Sequence, residues 1–387
     1  MAAIFLPASD GSHQRYTLGD ASPYPQTNTK PFGRVAYAAA HVVTDRLASG
    51  SPWSTSAIDI EQTLAFRRHL WSLGFRVAEV MDTAQRGMGL GWPDAQDIMR
   101  RSVAEARGIE GADIACGVGT DNLVAMPLSL DAVQGAYEEQ FAFVEGLGTS
   151  AILMASPALA ALAKGPDDYA AVYSRLLEQS QGKVILHWLG EAFDPRLAGY
   201  WGFDDRDRAT DFVLDLIDAH ADKIEGIKVS LLDAGHEIAM RARLPAGVVM
   251  YTGDDFNYPE LIAGDASAHS HALLGIFDPI APAAAAALVA LGEGDTARFH
   301  EILDPTLALA RHVFEAPTQY YKAGVVFLAW LNGHQDHFSL LGGMESARSA
   351  LHYSKLFELA DKARLLRDPD LAAARMTAML GVNGLAA

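Results

Sequence analysis

The sequence predicts a (β/α)8 barrel with an N-terminal extension and a helical C-terminal subdomain. Three observations lead there. Between residue 34 and about residue 290, eight short apolar runs alternate with stretches of helical character. Alternation of this kind implies a parallel sheet joined by helical crossovers, and eight units in ~250 residues are the size of a closed barrel. The turn after the first run, Thr44-Asp45-Arg46-Leu47, lacks the glycines that an open doubly wound sheet uses to hold phosphate. The expected boundaries are 1–33 for the extension, 34–290 for the barrel, and 291–387 for a helical subdomain packed on it.

The elements follow in order. Residues 1–33 are polar and rich in Gly, Pro, Ser and Thr, which suits a short hairpin ahead of the main fold. Strands are expected over 34–43, 75–81, 114–118, 151–155, 183–188, 224–229, 247–251 and 271–277. Between them, helices are expected over 59–73 with an acidic start, 94–107 with Pro93 just inside its start, and 129–147 between Ser129 as cap and Gly148 as stop. Further helices are expected over 166–181, 207–221, 233–243 and 258–263. Beyond residue 280 the strands cease, and 281–291, 295–313, 318–331 and 346–365 read as helices. Their rings, among them Phe314, Tyr320, Tyr321, Phe327, Trp330 and Phe338, are expected to form core and subunit interface.

Composition narrows the classes of function. The chain has 387 residues, 50% of them hydrophobic, and a net charge of −18. Such a charge argues against a nucleic-acid partner, which needs a basic face to meet phosphates. The single cysteine, Cys116, excludes an internal disulfide and a cysteine-based zinc site and suits a reducing cytoplasm. It lies in the apolar run Asp113 to Val118 and reads as a small buried hydrophobe. No segment reads as a signal peptide, and the alanine-rich stretch 279–291 is short for a bilayer span.

In a barrel the active site lies at the carboxyl ends of the strands. The polar residues closing each run are therefore the candidates. They are His41 and Thr44, Glu79, Asp82 and Thr83, Thr120 and Asp121, Ser156, His187 and Glu191, Lys228 and Ser230, and Asp254 and Asp255, with His269 and His271 beside the eighth run. Lys228 stands out, near the end of the sixth. A lysine pointing into a barrel loses hydration, and its charged form is disfavoured. A neutral amine can attack a carbonyl to form a Schiff base, whose protonated imine stabilises a carbanion on the adjacent carbon. Aldol cleavage and β-elimination both need that carbanion. The competing structural reading pairs Lys228 with a carboxylate such as Glu79.

Gly226-Ile227-Lys228-Val229-Ser230 resembles the Schiff-base lysine motif of the dihydrodipicolinate synthase and N-acetylneuraminate lyase family. Ala115-Cys116-Gly117-Val118-Gly119 resembles that family's third strand, and Tyr251-Thr252-Gly253-Asp254-Asp255 its seventh. With Met81-Asp82-Thr83-Ala84-Gln85-Arg86-Gly87 and the stretch from Phe327 to Gln335, the chain looks like an uncharacterised branch of these proteins. The resemblance implies a barrel and an imine-forming lyase of the class I aldolase type. It covers roughly residues 34–290. Two departures bear on the site. The family's glycine-threonine-threonine-glycine-glutamate turn, which holds a 2-oxo acid carboxylate, is replaced by a turn in which only Thr83 keeps a hydroxyl. There Arg86 is expected to hold a carboxylate by a bidentate fork. The family's tyrosine at the end of the fifth strand is replaced by His187, which can shuttle protons.

The leading expectation is a cytoplasmic, homo-oligomeric Schiff-base lyase of carbohydrate metabolism. It would act without a cofactor on a small polyhydroxylated carbonyl compound such as a sugar acid or oxidised sugar. Lys228 and His187 would be catalytic, and Thr83, Arg86, Asp82, Asp254, Asp255 and His271 would bind substrate. A second reading is a divalent-metal isomerase, epimerase or class II aldolase with ligands drawn from His41, Glu79, Asp82, His187 and His269. A third is a non-catalytic ligand-binding barrel. The turn His334-Gln335-Asp336-His337 is expected to act as a lid, a cap or a subunit contact.

Overall fold

The computed structural model describes residues 2–53, 56–123, 125, 129–265 and 267–386. All eight expected barrel strands form: β1 (Ala36–Ala39), β2 (Arg76–Glu79), β3 (Ile114–Val118), β4 (Ser150–Leu153), β5 (Val184–Leu189), β6 (Ile224–Ser230), β7 (Val249–Thr252) and β8 (His271–Leu274). They close in the order β8-β1-β2-β3-β4-β5-β6-β7, and each neighbouring pair is parallel. The fold class is thus the one the alternation predicts. β3 and β5 are buried along their whole length, as strands covered on both faces must be.

Several strands are shorter than their apolar runs. β1 stops at Ala39, although the run continues to Val43. Its next residues stay buried but bond elsewhere, with the His41 amide donating to the Asp278 carboxylate at 2.8 Å. Three helix starts fall within one residue of expectation, each set by a cap. Asp59 accepts from the Gln62 amide, Ser129 from Ala132 and Asp233 from His236. The long helix expected over 295–313 is divided into Thr296–Leu303, the 3-10 turn Asp304–Thr306 and Leu307–Val313. Pro305 lacks the amide needed to carry one helix through. A final helix, Pro369–Val382, was not among the expected elements. Its signal was present in Asp368 as cap and Pro369 at the first position.

The described residues form two compact units that interleave in sequence. One comprises 34–40 and 75–275 and holds all eight barrel strands; the other comprises 1–33, 41–74 and 276–387. The second unit contains the expected hairpin, Ala3–Pro7 with His13–Thr17, and the C-terminal helices. Within it, Tyr16 Oη donates to Asp361 at 2.7 Å, and Phe327, Phe338 and Tyr353 pack ring against ring.

Inside the barrel the inward positions are Tyr37, Ala39, Ala78, Ala115, Ile152, Ile185, Tyr251 and Leu273, which form one apolar cluster. The amino end of the barrel is closed by larger polar rings. Tyr251 Oη donates to Glu225 at 2.6 Å, Arg76 donates to Tyr37 Oη at 3.3 Å, and the two tyrosine rings meet edge to face at 5.8 Å. Ile185 is fully buried in this cluster. Truncating it to alanine should cost ~2–5 kcal/mol, since the barrel wall cannot collapse into the space, and urea unfolding should register that loss as a lower midpoint.

Candidate active site

Strand register decides which side chains enter the barrel. Residues paired across parallel strands face the same side, and successive residues alternate. Ile185 and Tyr251 belong to the interior cluster. Lys228 is in register with both Tyr251 and His187, the latter two residues beyond Ile185. Lys228 and His187 therefore share the interior face, toward the carboxyl ends of β6 and β5.

Room for the lysine comes from glycine. A Cβ on Gly253 would lie 2.1 Å from Ser230 Oγ and 2.8 Å from Lys228 Cε. A Cβ on Gly226 would meet the Val249 carbonyl at 2.5 Å. Both sites require the bare backbone, a use of glycine inside a strand that marks close approach. The sequence expectation missed this role, and its one available signal was glycine at inward-facing strand positions.

Lys228 is only 7% exposed, and among the described residues its ammonium has no hydrogen bond or ion pair. Burial pushes its pKa below the ordinary value, although the charges of Asp82 and Asp255 oppose the shift. The pairing with Glu79 does not form. Glu79 follows inward-facing Ala78 and so points to the other face of β2, where its carboxylate accepts from the Val80 amide at 3.0 Å. His187 is fully buried and held neutral, its pKa driven well below the usual range by burial and then by the neighbouring Lys228 charge. Its Nε2 lies 3.2 Å from Ser230 Oγ, while Nδ1 is buried and has no partner among the described residues. An amine without a hydrogen bond beside an imidazole with one nitrogen unengaged, at the carboxyl end of a barrel, is the arrangement expected of reactive groups.

The other expected residues divide. Asp82 and Thr83 lie in the 3-10 turn Asp82–Ala84 directly after β2, and Thr83 is buried. Asp82 and Asp255 both act electrostatically on Lys228. Arg86 is committed elsewhere. Its Nε and Nη2 donate to Asp121, Nη1 donates to the carbonyls of Val80 and Gly117 at 3.1 and 3.2 Å, and Nη2 also reaches Gln140 at 2.7 Å. All five N–H donors are used, so no fork remains for a substrate carboxylate. Val80 adopts φ 52°, a left-handed conformation rare for a β-branched residue, and its carbonyl serves the Arg86 guanidinium. Asp254 is likewise spent as a cap, accepting from the amides of Phe256 and Asn257 and from the Asn257 side chain. His271 opens β8 and so lies at the amino end of the barrel, where its Nδ1 accepts from the Val35 amide at 3.2 Å. It does not belong to the site.

The alternative metal ligands are not brought together. His41, in the other compact unit, has both nitrogens engaged: Nδ1 with Asp278 at 2.8 Å and Nε2 with Gln335 Oε1 at 3.1 Å. Gln335 Nε2 donates to the His337 carbonyl, which leaves its oxygen to face His41. His269 is exposed, next to His271. Among the described residues no three of His41, Glu79, Asp82, His187 and His269 converge within ligand distance. The 334–337 turn is a packing element of its own unit. It fixes His41 through Gln335 and receives His69 against His334 at 4.5 Å between ring centroids.

Two stability measurements separate these roles. For Lys228 the native pKa is depressed, so the unfolded chain binds the proton more readily. The resulting destabilisation is full below the native pKa and vanishes as pH rises through the ordinary value of 10.5. Lys228→Met should therefore unfold at higher urea than wild type at pH 7, with the difference shrinking toward pH 10. Arg86→Lys should lose ~3–5 kcal/mol, because Asp121 and three other acceptors are left without their buried partner. An Arg86 that held substrate would instead raise KM with stability unchanged.

The barrel matches known structures. Dihydrodipicolinate synthase from Aquifex aeolicus superposes with a TM-score of 0.65 at 14% identity, over 86% of this chain and 99% of that one. YagE, a prophage protein of the dihydrodipicolinic acid synthase family from E. coli K12 in complex with pyruvate, gives 0.66 at 14% identity, also over 86% and 99%. The chloride-inhibited dihydrodipicolinate synthase from Acinetobacter baumannii, complexed with pyruvate, gives 0.63 at 14%, over the same shares. The fold is that of the family the lysine motif resembles. No curated relative matches the chain in sequence. Over residues 4–385 the chain fits the family described as "Protein of unknown function (DUF993)", and it belongs to that family.

Proposed function

We propose that this protein is a Schiff-base-forming lyase that cleaves, condenses or dehydrates a small polyhydroxylated carbonyl compound. The observation that carries the reading is Lys228: buried inside the barrel, depressed in pKa, and without a hydrogen bond or ion pair among the described residues. A structural lysine in such a place would need a partner to offset its desolvation. The unprotonated amine attacks the substrate carbonyl carbon, and loss of water gives the iminium. Either a carbon–carbon bond or a β-hydroxyl bond then breaks. In cleavage the bonding electrons flow into the iminium as an enamine. In dehydration a proton first leaves the α-carbon and hydroxide departs.

His187 moves the proton. It is neutral, one nitrogen faces Ser230 Oγ, and the other is uncommitted among the described residues. Ser230 Oγ can pass a proton between His187 and the bound substrate. The two relatives in fold that hold pyruvate support a carbonyl substrate. The commitment of Arg86 to Asp121, with Asp82 and Asp255 acting on Lys228, favours hydroxyl donors over a carboxylate near the amine. Of the two expected substrates, the uncharged oxidised sugar suits this field better than the sugar acid. In this reading the reaction draws on no cofactor. The enzyme serves carbohydrate metabolism in the cytoplasm as a homo-oligomer, a setting that its single buried thiol, Cys116, suits. Among the described residues no helix is long and apolar enough to cross a membrane.

Borohydride added during turnover of oxidised sugars should leave a mass increment on Lys228 alone. Lys228→Met should abolish both the increment and the activity. His187→Phe should lower kcat by ~10²–10⁴ while the increment survives, since it removes proton transfer and not imine formation. A substrate that turns over without trapping at Lys228 would overturn the reading.

A further inference from the structure

The unit made of 1–33, 41–74 and 276–387 contains a cluster that the lyase reading does not use. His312 lies in the last turn of the helix Leu307–Val313, Glu315 lies just beyond it, and His352 sits in the first turn of the helix Ala350–Lys362. One ligand atom from each lies within 4.8 Å of the others. No other such group occurs among the described residues.

Proton accounting gives the cluster meaning. His312 Nε2 lies 2.9 Å from the His352 carbonyl oxygen, which can only accept, so Nε2 carries a hydrogen. A neutral His312 then presents a bare lone pair at Nδ1. That lone pair faces Glu315 Oε2 at 3.2 Å, and a carboxylate oxygen also only accepts. Two acceptors face one another unless a cation lies between them. His352 Nδ1 lies 2.9 Å from the other oxygen, Glu315 Oε1, and the two imidazoles stack at 4.1 Å with 23° between planes. A protonated His312 would place its charge against the second ring and near the Arg348 guanidinium, 4.0 Å from Glu315 Oε1. A metal ion would instead satisfy both imidazole lone pairs and the carboxylate together.

We propose that Nδ1 of His312, the Glu315 carboxylate and Nδ1 of His352 form a site for a borderline divalent transition metal of the Zn²⁺ class. Adjacent ligands in a tetrahedron with bonds of ~2.1 Å lie about 3.4 Å apart; each imidazole Nδ1 already lies near that distance from a Glu315 oxygen, at 3.2 and 2.9 Å, and the set, within 4.8 Å overall, draws in around the ion. A supporting shell is present for His312 and for the turn that carries Glu315, while His352 Nε2 is buried without a partner among the described residues. The hydrogen bond from His312 Nε2 to a backbone carbonyl fixes ring and tautomer, as is usual for ligating histidines. Arg348 holds the turn carrying Glu315 by donating to the carbonyls of Glu315 and Pro317 at 2.7 and 3.1 Å. Its charge weakens the site most for hard cations such as Mg²⁺ and Ca²⁺, which depend on carboxylate charge. Imidazole nitrogen retains an ion of the Zn²⁺ class. Three protein ligands leave a fourth position for water.

The test uses the full-length protein after chelator treatment and dialysis, with Zn²⁺ alone as titrant. Calorimetry should show one equivalent bound, and Tm should rise with Zn²⁺. Glu315→Gln, at a side chain 45% exposed and so tolerant of change, should weaken binding more than tenfold and remove the Tm rise. The double variant His312→Gln with His352→Gln should do the same, and Co²⁺ in place of Zn²⁺ should give a visible absorption that both variants lose. Equal Zn²⁺ binding by wild type and Glu315→Gln, or no stoichiometric binding at all, would overturn the proposal and leave an ion-pair network only. Mg²⁺ binding as tight as Zn²⁺ would also count against it. Borohydride trapping at Lys228 is read on a different residue, so failure of one test leaves the other standing.

Discussion

A closed parallel barrel has a single interior, and every inward position must be filled by a neighbour in register. That constraint governs this molecule. Tyr37 and Tyr251 take up the amino end with large rings anchored by Arg76 and Glu225. Small residues, Ala39, Ala78 and Ala115, line the middle of one side. Toward the carboxyl end Gly253 leaves the space that the Lys228 side chain and Ser230 Oγ occupy, while Gly226 makes room for Val249 and the Tyr251 ring. A lysine here costs stability, because its charged form is deprived of water without an ion pair in return. The fold tolerates that cost because the rest of the barrel is densely and apolarly packed.

The polar groups at the mouth fall into two economies of hydrogen bonding. Arg86, Asp121 and Gln140 satisfy one another and tie the β2 turn to the end of β3. Asp254 caps the turn after β7, and Ser156 caps the helix Pro157–Leu162 while meeting Thr120 Oγ1 at 2.6 Å. These residues are engaged with one another or with backbone amides, and the Arg86 guanidinium has no donor left for a ligand. Lys228 and the Nδ1 atom of His187 retain hydrogen-bonding capacity. Buried polar groups are nearly always paired, so the exceptions are where chemistry is to be sought. By that criterion the candidate site is small: one amine, one neutral imidazole, one adjoining hydroxyl, and two carboxylates acting through their fields.

Buried histidines elsewhere follow the same accounting with other outcomes. His41 uses both nitrogens, one on Asp278 and one on Gln335, and so its position is structural. His312 and His352 share one carboxylate between two stacked rings, a geometry that hydrogen bonding alone satisfies only by adding charge. Residue type did not separate these cases. The partners of each ring nitrogen did.

The sequence by itself determined the barrel, its eight strands, the lysine motif and the burial of Cys116, because each rests on local apolar periodicity or on contiguous residues. It also showed that the turn after β2 kept one hydroxyl, on Thr83, of those in the family it resembles, and that His187 stood where a tyrosine is usual there. Tertiary structure alone decided which polar residues were free. Arg86 looked like a carboxylate fork until its donors met Asp121, Gln140 and two carbonyls from β2 and β3 segments up to 54 positions away. His271, which the sequence already set at the start of the eighth run, was offered as a substrate ligand until its Nδ1 met the Val35 amide at the amino end of the barrel. The space around Lys228 depends on Gly253, 25 residues on and just past the end of the next strand, and no local pattern encodes that approach. Hydrogen-bond capacity and room are properties of neighbours in space, and those neighbours are set only when the barrel closes.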